Sequence, residues 1–344
     1  MKNITSSILI FMMLTILPHF VFGARGKFSV YVIDSENGTP ISNIKVKGSF
    51  LNYSRGWDRP AKDNNVEAWT DSAGSANLSG STEKGIGGYR IINIPGYYNS
   101  NWVEVTFQKK GLLYWDPTDV VLTTRLDRII NPIPLFAKSP CFSKWVNEEM
   151  NNRSSTNQTA TITNVVASYD LLVGQWLPPY GEGKYADITI EAKTEYLGID
   201  HYFRRFPAMR YKTTYSMRFP HDGDGIVEMP FDPVSSLKIR IAPLDGYGNS
   251  LIRWHGFLGI EEQHKTSFNK DRCFAFRIRT KRDSSGNITQ AYYGKVYGDL
   301  NFMEPNDEPF SYYINLTPND RNLEFDRKTN LNPNDKRRPY EIAP

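Results

Sequence analysis

Cysteine is scarce in this chain of 344 residues: there are two, Cys141 and Cys273. Neither has a second cysteine at metal-ligand spacing, which excludes a zinc site built on paired thiolates. Histidine is scarce too, with five residues, and His201, His221, His255 and His264 form no HExxH or HxH pair. GxSxG, GxxxxGK[ST] and a post-strand GxGxxG are missing, which removes the signatures of serine hydrolases, P-loop proteins and dinucleotide binders. Charge of one sign is not concentrated anywhere. The net charge of +4 comes from scattered residues and two short runs, "RTKRD" and "NDKRRP". Such runs read as solvated surface, so nucleic acid is not an expected partner.

Long apolar runs are confined to the start. Lys2 precedes "ILIFMMLTILPHFVFG", with Val21 and Gly23 small enough for the −3 and −1 positions of a cleavage site before Ala24. Residues 1–23 therefore read as a signal peptide; Pro18 and His19 interrupt a run already short for a bilayer span. No later stretch is long enough to span a membrane as a helix, so the expectation is a secreted or periplasmic chain without a transmembrane anchor. In an oxidising compartment Cys141 and Cys273 are candidates for one disulfide, with two buried thiols as the alternative.

What is present points to strands. Aromatic residues make up 13% of the chain, with 25 glycines and 21 prolines, a mixture that favours strands and turns over helices. Phe28, Val30 and Val32 alternate with Ser29, Tyr31 and Ile33, and Ile44 and Val46 alternate with Lys45 and Lys47. Between them "DSENGTP" offers the carboxylates of Asp34 and Glu36, too few for a metal site. Asn37-Gly38 ahead of Pro40 predicts a hairpin or another strand-to-strand connection instead. Further turns at Asp71–Gly74 and Pro95-Gly96 separate short alternating strands, six or seven in all.

"GTPISNIKVKG", "TDSAGSANLSG" and "GGYRIINIPGYYN" together resemble the carboxypeptidase regulatory-like domain, a transthyretin-like β-sandwich. The resemblance rests on Thr39-Pro40, Thr70-Asp71, Gly74 and Pro95-Gly96-Tyr97, which occur in the family's order. It covers about the first third of the chain after the signal. The inserts at Asn52–Ala68 and after Gly80 depart from the family's loop lengths. The resemblance implies a non-catalytic accessory that supports stability, adhesion or binding.

The expected fold class is all-β: a transthyretin-like sandwich over 24–139, a linker over 140–161, a larger sandwich-like β-rich domain over 162–326 and a tail over 327–344. "RIINPIPLFAK" is read as closing the first sandwich. In the second domain, Phe274, Phe276 and Ile278 alternate with Ala275, Arg277 and Arg279, and "DSSGN" turns the chain into a returning strand. Asn131-Pro132-Ile133-Pro134, the Gly174–Gly183 loop and Thr317–Glu324 resemble phrases shared by exported bacterial proteins to which no activity is attached.

Two local features carry candidate chemistry. Trp176 and Tyr180, on the proline-stiffened loop "GQWLPPYGEG", could stack on a sugar ring or peptide; alternatively, Trp176 fills the core. His221, Asp222 and Asp224 in "FPHDGDGIVE" are candidate ligands for a hard cation, or members of a hairpin turn. Asp187, Glu191 and Glu228 are carboxylates that glycan hydrolysis would need brought together. No cofactor is implied. Three readings follow: an exported non-catalytic structural or binding protein whose partner is a cell-surface glycan or protein, a secreted glycan hydrolase, and a metal-binding protein.

Overall fold

A computed structural model of the chain describes residues 24–53, 62–138, 162–202, 206–235, 237, 239–260, 262, 264–269, 271–299 and 311–333. The signal segment, the linker, Cys141 and the last eleven residues of the tail lie outside the described residues. No helix occurs among those described, and the chain is all-β as expected. It divides into two compact units, Met1–Ile129 and Ile130–Pro344.

The first unit holds strands β1 (Arg25–Asp34), β2 (Lys45–Phe50), β3 (Asn64–Trp69), β4 (Ser75–Ser81), β5 (Ile86–Ile91), β6 (Val103–Thr106) and β9 (Val120–Leu126), with a small hairpin of β7 (Lys109–Lys110) and β8 (Trp115–Asp116). One sheet has the order β4-β1-β9 and the other β3-β2-β5-β6. Period-two alternation builds it: Phe28, Val30 and Val32 of β1 point inward and are sealed from solvent, as are Val46 and Phe50 of β2. Each such burial contributes about 1.5–3 kcal/mol. Tyr89 joins them and directs its hydroxyl to Thr124 Oγ1 at 2.7 Å, satisfying the one polar group it carries into the core.

"DSENGTP" turns the chain back on β1 for a single antiparallel bridge, Ile33 to Pro40, with Asp34 N–H donating to Thr39 O and Ile41 N–H to Val32 O, both at 2.9 Å, and the chain then leaves for the other sheet. β1 pairs with β4 and, in parallel, with β9, whereas β2 pairs with β3 and β5, so the loop crosses from one sheet to the other. Its geometry is fixed by Asp34, which is buried. Oδ1 accepts the Glu36 and Asn37 backbone N–H groups; Oδ2 accepts the Tyr97 hydroxyl at 2.8 Å and the Arg128 guanidinium at 2.5 Å. Burial raises the Asp34 carboxyl, but these partners outweigh it and bring its pKa down to about 2. Gly74 sits at φ +74°, and a Cβ there would fall 2.6 Å from Val32 O, so only glycine fits the second turn. Two motif residues, Gly74 and Tyr97, thus lie against the loop that Asp34 fixes.

The second unit is a sandwich of two six-stranded sheets. One runs β12 (Gln175–Trp176), β11 (Ile162–Asp170), β13 (Ile188–Tyr202), β14 (Phe206–Arg218), β16 (Ser250–Phe257) and β17 (His264–Thr266). The other runs β15 (Gly225–Met229), β18 (Cys273–Arg282), β19 (Ile288–Tyr297), β20 (Ser311–Ile314), β10 (Ile133–Lys138) and β21 (Phe325–Asn330). Their facing sides meet through Tyr169, Ile190, Tyr215 and Met217 on one and Phe274, Phe276, Val296 and Tyr312 on the other.

Three sequence expectations are corrected here. Ile133–Lys138 does not close the first sandwich; it pairs with β20 and β21 inside the second unit. Its strand partners lie about 180 residues downstream, a pairing that local periodicity does not encode. The last strand runs on to Asn330, past the expected end of the domain at 326. β18 is also not half wet: Ala275 and Arg277 are as buried as Phe274 and Phe276, because Ile239, Ala242 and Leu323 cover its second face. The segment holding Ile239 and Ala242 supplies that cover and adds no named strand among the described residues.

Two phrases singled out in the sequence meet in this unit. The carboxylate of Glu324, at the end of "TPNDRNLE", accepts the Ile130 and Asn131 backbone N–H groups at 2.8 and 2.9 Å and pairs with Arg240 at 2.7 Å. Asn322 Nδ2 donates to Asn131 O. The "NPIP" and "TPND" motifs are therefore two halves of one structural joint.

Candidate functional site

The densest set of polar side chains in the second unit lies where the β11–β13 connection meets the β15 and β18 ends. Asp170 closes β11 and Asp187 precedes β13, and both are buried. Arg279 reaches them from β18: Nη2 lies 2.7 Å from Asp170 Oδ1 and 3.1 Å from Asp187 Oδ2, and Nε lies 2.9 Å from Asp187 Oδ1. In a regular strand Arg279 would share the outward face with Arg277. Instead it takes φ 53° at an irregularity in the β18–β19 register, between Ile278 and Lys281. The bulge re-aims the side chain.

The carboxylates are also held by backbone. Asp187 Oδ2 accepts Leu171 N–H at 2.8 Å, and Asp170 accepts Val173, Lys184 and Tyr185 N–H groups at 3.2–3.3 Å. Burial pushes the Asp187 carboxyl up, against the hydrogen bond and charge of Arg279, which pull it down. For Arg279 burial works downward and the two carboxylates more than reverse it. The guanidinium keeps its proton in proteins, so the fully hydrogen-bonded arrangement is the ion pair.

Tyr185 lies over this base, its ring centroid 4.5 Å from the Arg279 guanidinium carbon. His221 stacks on the same tyrosine at 4.7 Å and 28°, with Nε2 3.0 Å from Ala186 O. Burial, then the charges of Asp224 and Asp187, raise the Tyr185 hydroxyl. Tyr185 nevertheless keeps 38% of its surface exposed, and Tyr180 on the same loop keeps 39%.

The candidate metal ligands do not converge. The Asp224 carboxylate is buried and accepts Arg279 N–H at 2.9 Å and Thr280 N–H at 2.8 Å. Asp222 points to solvent, and His221 faces Tyr185 and Ala186. Gly223, at φ +80° between them, directs its carbonyl to Arg277 Nε at 2.8 Å. The segment is a β-turn, with Asp224 N–H donating to His221 O at 3.2 Å, in the crossing from β14 to β15. It is fastened to β18 and, since β14 and β15 lie in different sheets, is not the expected hairpin. Among the described residues no group of three or more His, Cys, Asp or Glu side chains is placed to hold a metal ion.

The two aromatic candidates separate. Trp176 is half-buried, edge-on to Tyr169 at 4.9 Å, and packs against the core, whereas Tyr180 is exposed. The carboxylates that hydrolysis would need also separate: Asp187 is sealed under Arg279, Glu228 faces Arg272 at 3.5 Å on the surface, and Glu191 pairs in register with Val166 and Ser216 mid-sheet. Between the sheets, a void of about 10 Å³ is lined by Leu171, Met217, Phe276, Tyr312 and other apolar residues and is far smaller than a substrate pocket. Cys273 is buried with Sγ 3.4 Å from Pro230 O; its pairing with Cys141 falls outside the described residues. Sequence reasoning missed Asp170, Tyr185 and Arg279. No local signal set Arg279 apart, since Arg277, Lys281 and Arg282 stand in the same strand.

No protein-family model matches the chain, and a search of the curated proteins finds no match. Among solved structures it is similar to the C-terminal domain of the shaft pilin SpaA from Lactobacillus rhamnosus GG, at 12% identity over 31% of this chain and 99% of that one, with a TM-score of 0.22. It is similar to the full-length major pilin SpaD from Corynebacterium diphtheriae at 12% identity and a TM-score of 0.24, over 85% of this chain and 64% of that one. A DUF3823 family protein from Parabacteroides merdae matches at 7% identity and a TM-score of 0.19, over 88% of this chain and all of that one. At these values the likenesses say nothing about activity or partners.

Proposed function

We propose that this is an exported, non-catalytic structural or binding protein of the cell surface, its first unit an accessory sandwich of the carboxypeptidase regulatory-like kind. The observation that carries the reading is the state of the buried charges in the second unit. Asp170 and Asp187 both accept from one guanidinium nitrogen of Arg279, and both are buried beneath it. A group that must exchange protons with a substrate has to be reachable by it. These carboxylates hold strand ends.

The same ties give the surface above them a rigid base. Tyr185 and Tyr180 present aromatic area on a loop whose backbone N–H groups are fixed by Asp170, so little ordering would accompany ligand stacking. A flat, hydroxylated partner such as a cell-surface glycan suits that surface. In the first unit, Gly74 and Tyr97 occupy the family's turn positions, and Tyr97 donates to the Asp34 carboxylate of the first loop, which supports the accessory reading.

The test is retention of the exported chain on insoluble cell-envelope polysaccharide. Wild-type protein is expected to be retained, and the Tyr180→Ala/Tyr185→Ala variant to lose most retention while still folded at the assay temperature, with a cooperative unfolding transition above it. Retention unchanged by the double substitution would remove this surface from the account.

A further inference from the structure

The β7–β8 hairpin of the first unit is built the wrong way round for a solvent loop. Its apex is Leu112-Leu113, closed by Gly111 N–H donating to Tyr114 O at 2.9 Å. Hairpin apices ordinarily carry Asn, Asp or Gly, which suit tight turns and water. Here Leu112 is 93% exposed, Leu113 68% and Tyr114 46%, three adjacent apolar side chains at a projecting tip. Lone exposed leucines are unremarkable; a contiguous exposed set at a tip is not.

The tip is held rigidly. Arg25 N–H donates to Leu113 O at 2.9 Å, bridging the apex to the first strand, and Trp115 packs on the core with Nε1 2.9 Å from Thr82 O. Lys109 and Lys110, both exposed, stand directly behind the leucines, and Arg25 lies beside Tyr114. Against these three cations stands Asp116, across the ladder from Lys109. An apolar apex with a net positive collar fits a membrane interface with anionic headgroups: leucines enter the acyl boundary, tyrosine sits at headgroup level and lysines meet lipid charge.

We propose that the Leu112-Leu113 apex, with Lys109, Lys110 and Arg25, docks this unit on an anionic lipid bilayer. The proposal rests on the chain being exported, but not on glycan retention, which uses another surface and is measured separately.

The test is co-sedimentation of the exported chain with vesicles of phosphatidylcholine alone and of phosphatidylcholine with one-fifth phosphatidylglycerol. Wild-type protein is expected on the anionic vesicles, more weakly at high salt. Leu112→Ser/Leu113→Ser is expected to lower partitioning about 100-fold, roughly ten-fold for each leucine. Lys109→Ala/Lys110→Ala is expected to lower it about 25-fold, roughly five-fold for each lysine. Both variants change exposed side chains and should unfold at the wild-type temperature. The proposal is overturned by no wild-type binding to anionic vesicles, or by binding that the leucine substitutions leave unchanged. It is equally overturned by leucine-dependent self-association without vesicles, which would make a second copy the occupant.

Discussion

Replacing Arg279 by alanine removes the only side-chain cation within 3.1 Å of both Asp170 and Asp187 among the hydrogen bonds described. The two carboxylates would remain, with side chains 3% and 0% exposed, in a site built around a positive charge. Breaking a buried pair from one side costs about 3–5 kcal/mol. The Arg279 side chain is 24% exposed, so water can follow it out, and about 2–4 kcal/mol is the expected loss. For a unit of this size that lowers the unfolding temperature by roughly 5–15 °C. Hydrogen exchange localises it, since the Leu171 and Tyr185 amides bonded to these carboxylates should lose protection.

The loss should also depend on pH with a definite sign. Burial already pushes Asp187 above its usual value of 3.8, and removing the guanidinium takes away what opposes that. A raised folded pKa means that the ionised form is penalised, so the penalty is complete above that raised pKa. It should shrink as pH falls through it towards 3.8. Adding Asp187→Asn to Arg279→Ala should recover part of the loss, because the orphaned charge is gone. An Arg279→Ala protein within about 0.5 kcal/mol of wild type, or one whose deficit grows in acid, would refute the reasoning.

Other substitutions test other parts. Asp34 contributes stability that is present above pH 3.8 and lost as pH falls from there to about 2. The expected size is on the order of 1 kcal/mol, because its partner Arg128 is half exposed and screened. Asp34→Asn should remove that step from an acid titration of the first unit. Trp176→Ala should destabilise the second unit by about 2 kcal/mol through its lost contact with Tyr169, and Tyr180→Ala by a fraction of that. Comparable losses in chemical denaturation would mean that both rings are core. Gly294→Ala places a methyl 2.1 Å from Phe276 Cζ on the neighbouring strand and should cost about 1–3 kcal/mol; a neutral result would mean that this ring has room to move.

Strand identity was legible wherever one face is wet, since period two then writes itself into the residues, as in β1 and β2. The turn at Asp71–Gly74 was legible from its own chemistry, and Asp71 Oδ1 does accept the Ala73 and Ser75 N–H groups. What failed was information carried by distant partners. "DSENGTP" reads as a strand connection and is one, but that β1 then pairs with β9 while β2 pairs with β5 is set by partners far along the chain. Ile133–Lys138 follows the first sandwich in sequence and belongs to the second. Arg279 looked solvent-facing because alternation was projected through a bulge, and that single re-aimed side chain defines the polar centre of the unit. His221, Asp222 and Asp224 offered three ligand types close together in sequence, but backbone N–H groups of β18 take up the Asp224 carboxylate.

The central claim is that the buried carboxylates of the second unit hold strands and carry out no chemistry on a substrate. Its most direct test measures soluble reducing ends released from cell-envelope polysaccharide by the exported chain and by Asp187→Asn. The account predicts that neither protein releases sugar above the buffer control, while Asp187→Asn changes unfolding. Release by the wild type that Asp187→Asn abolishes would contradict it.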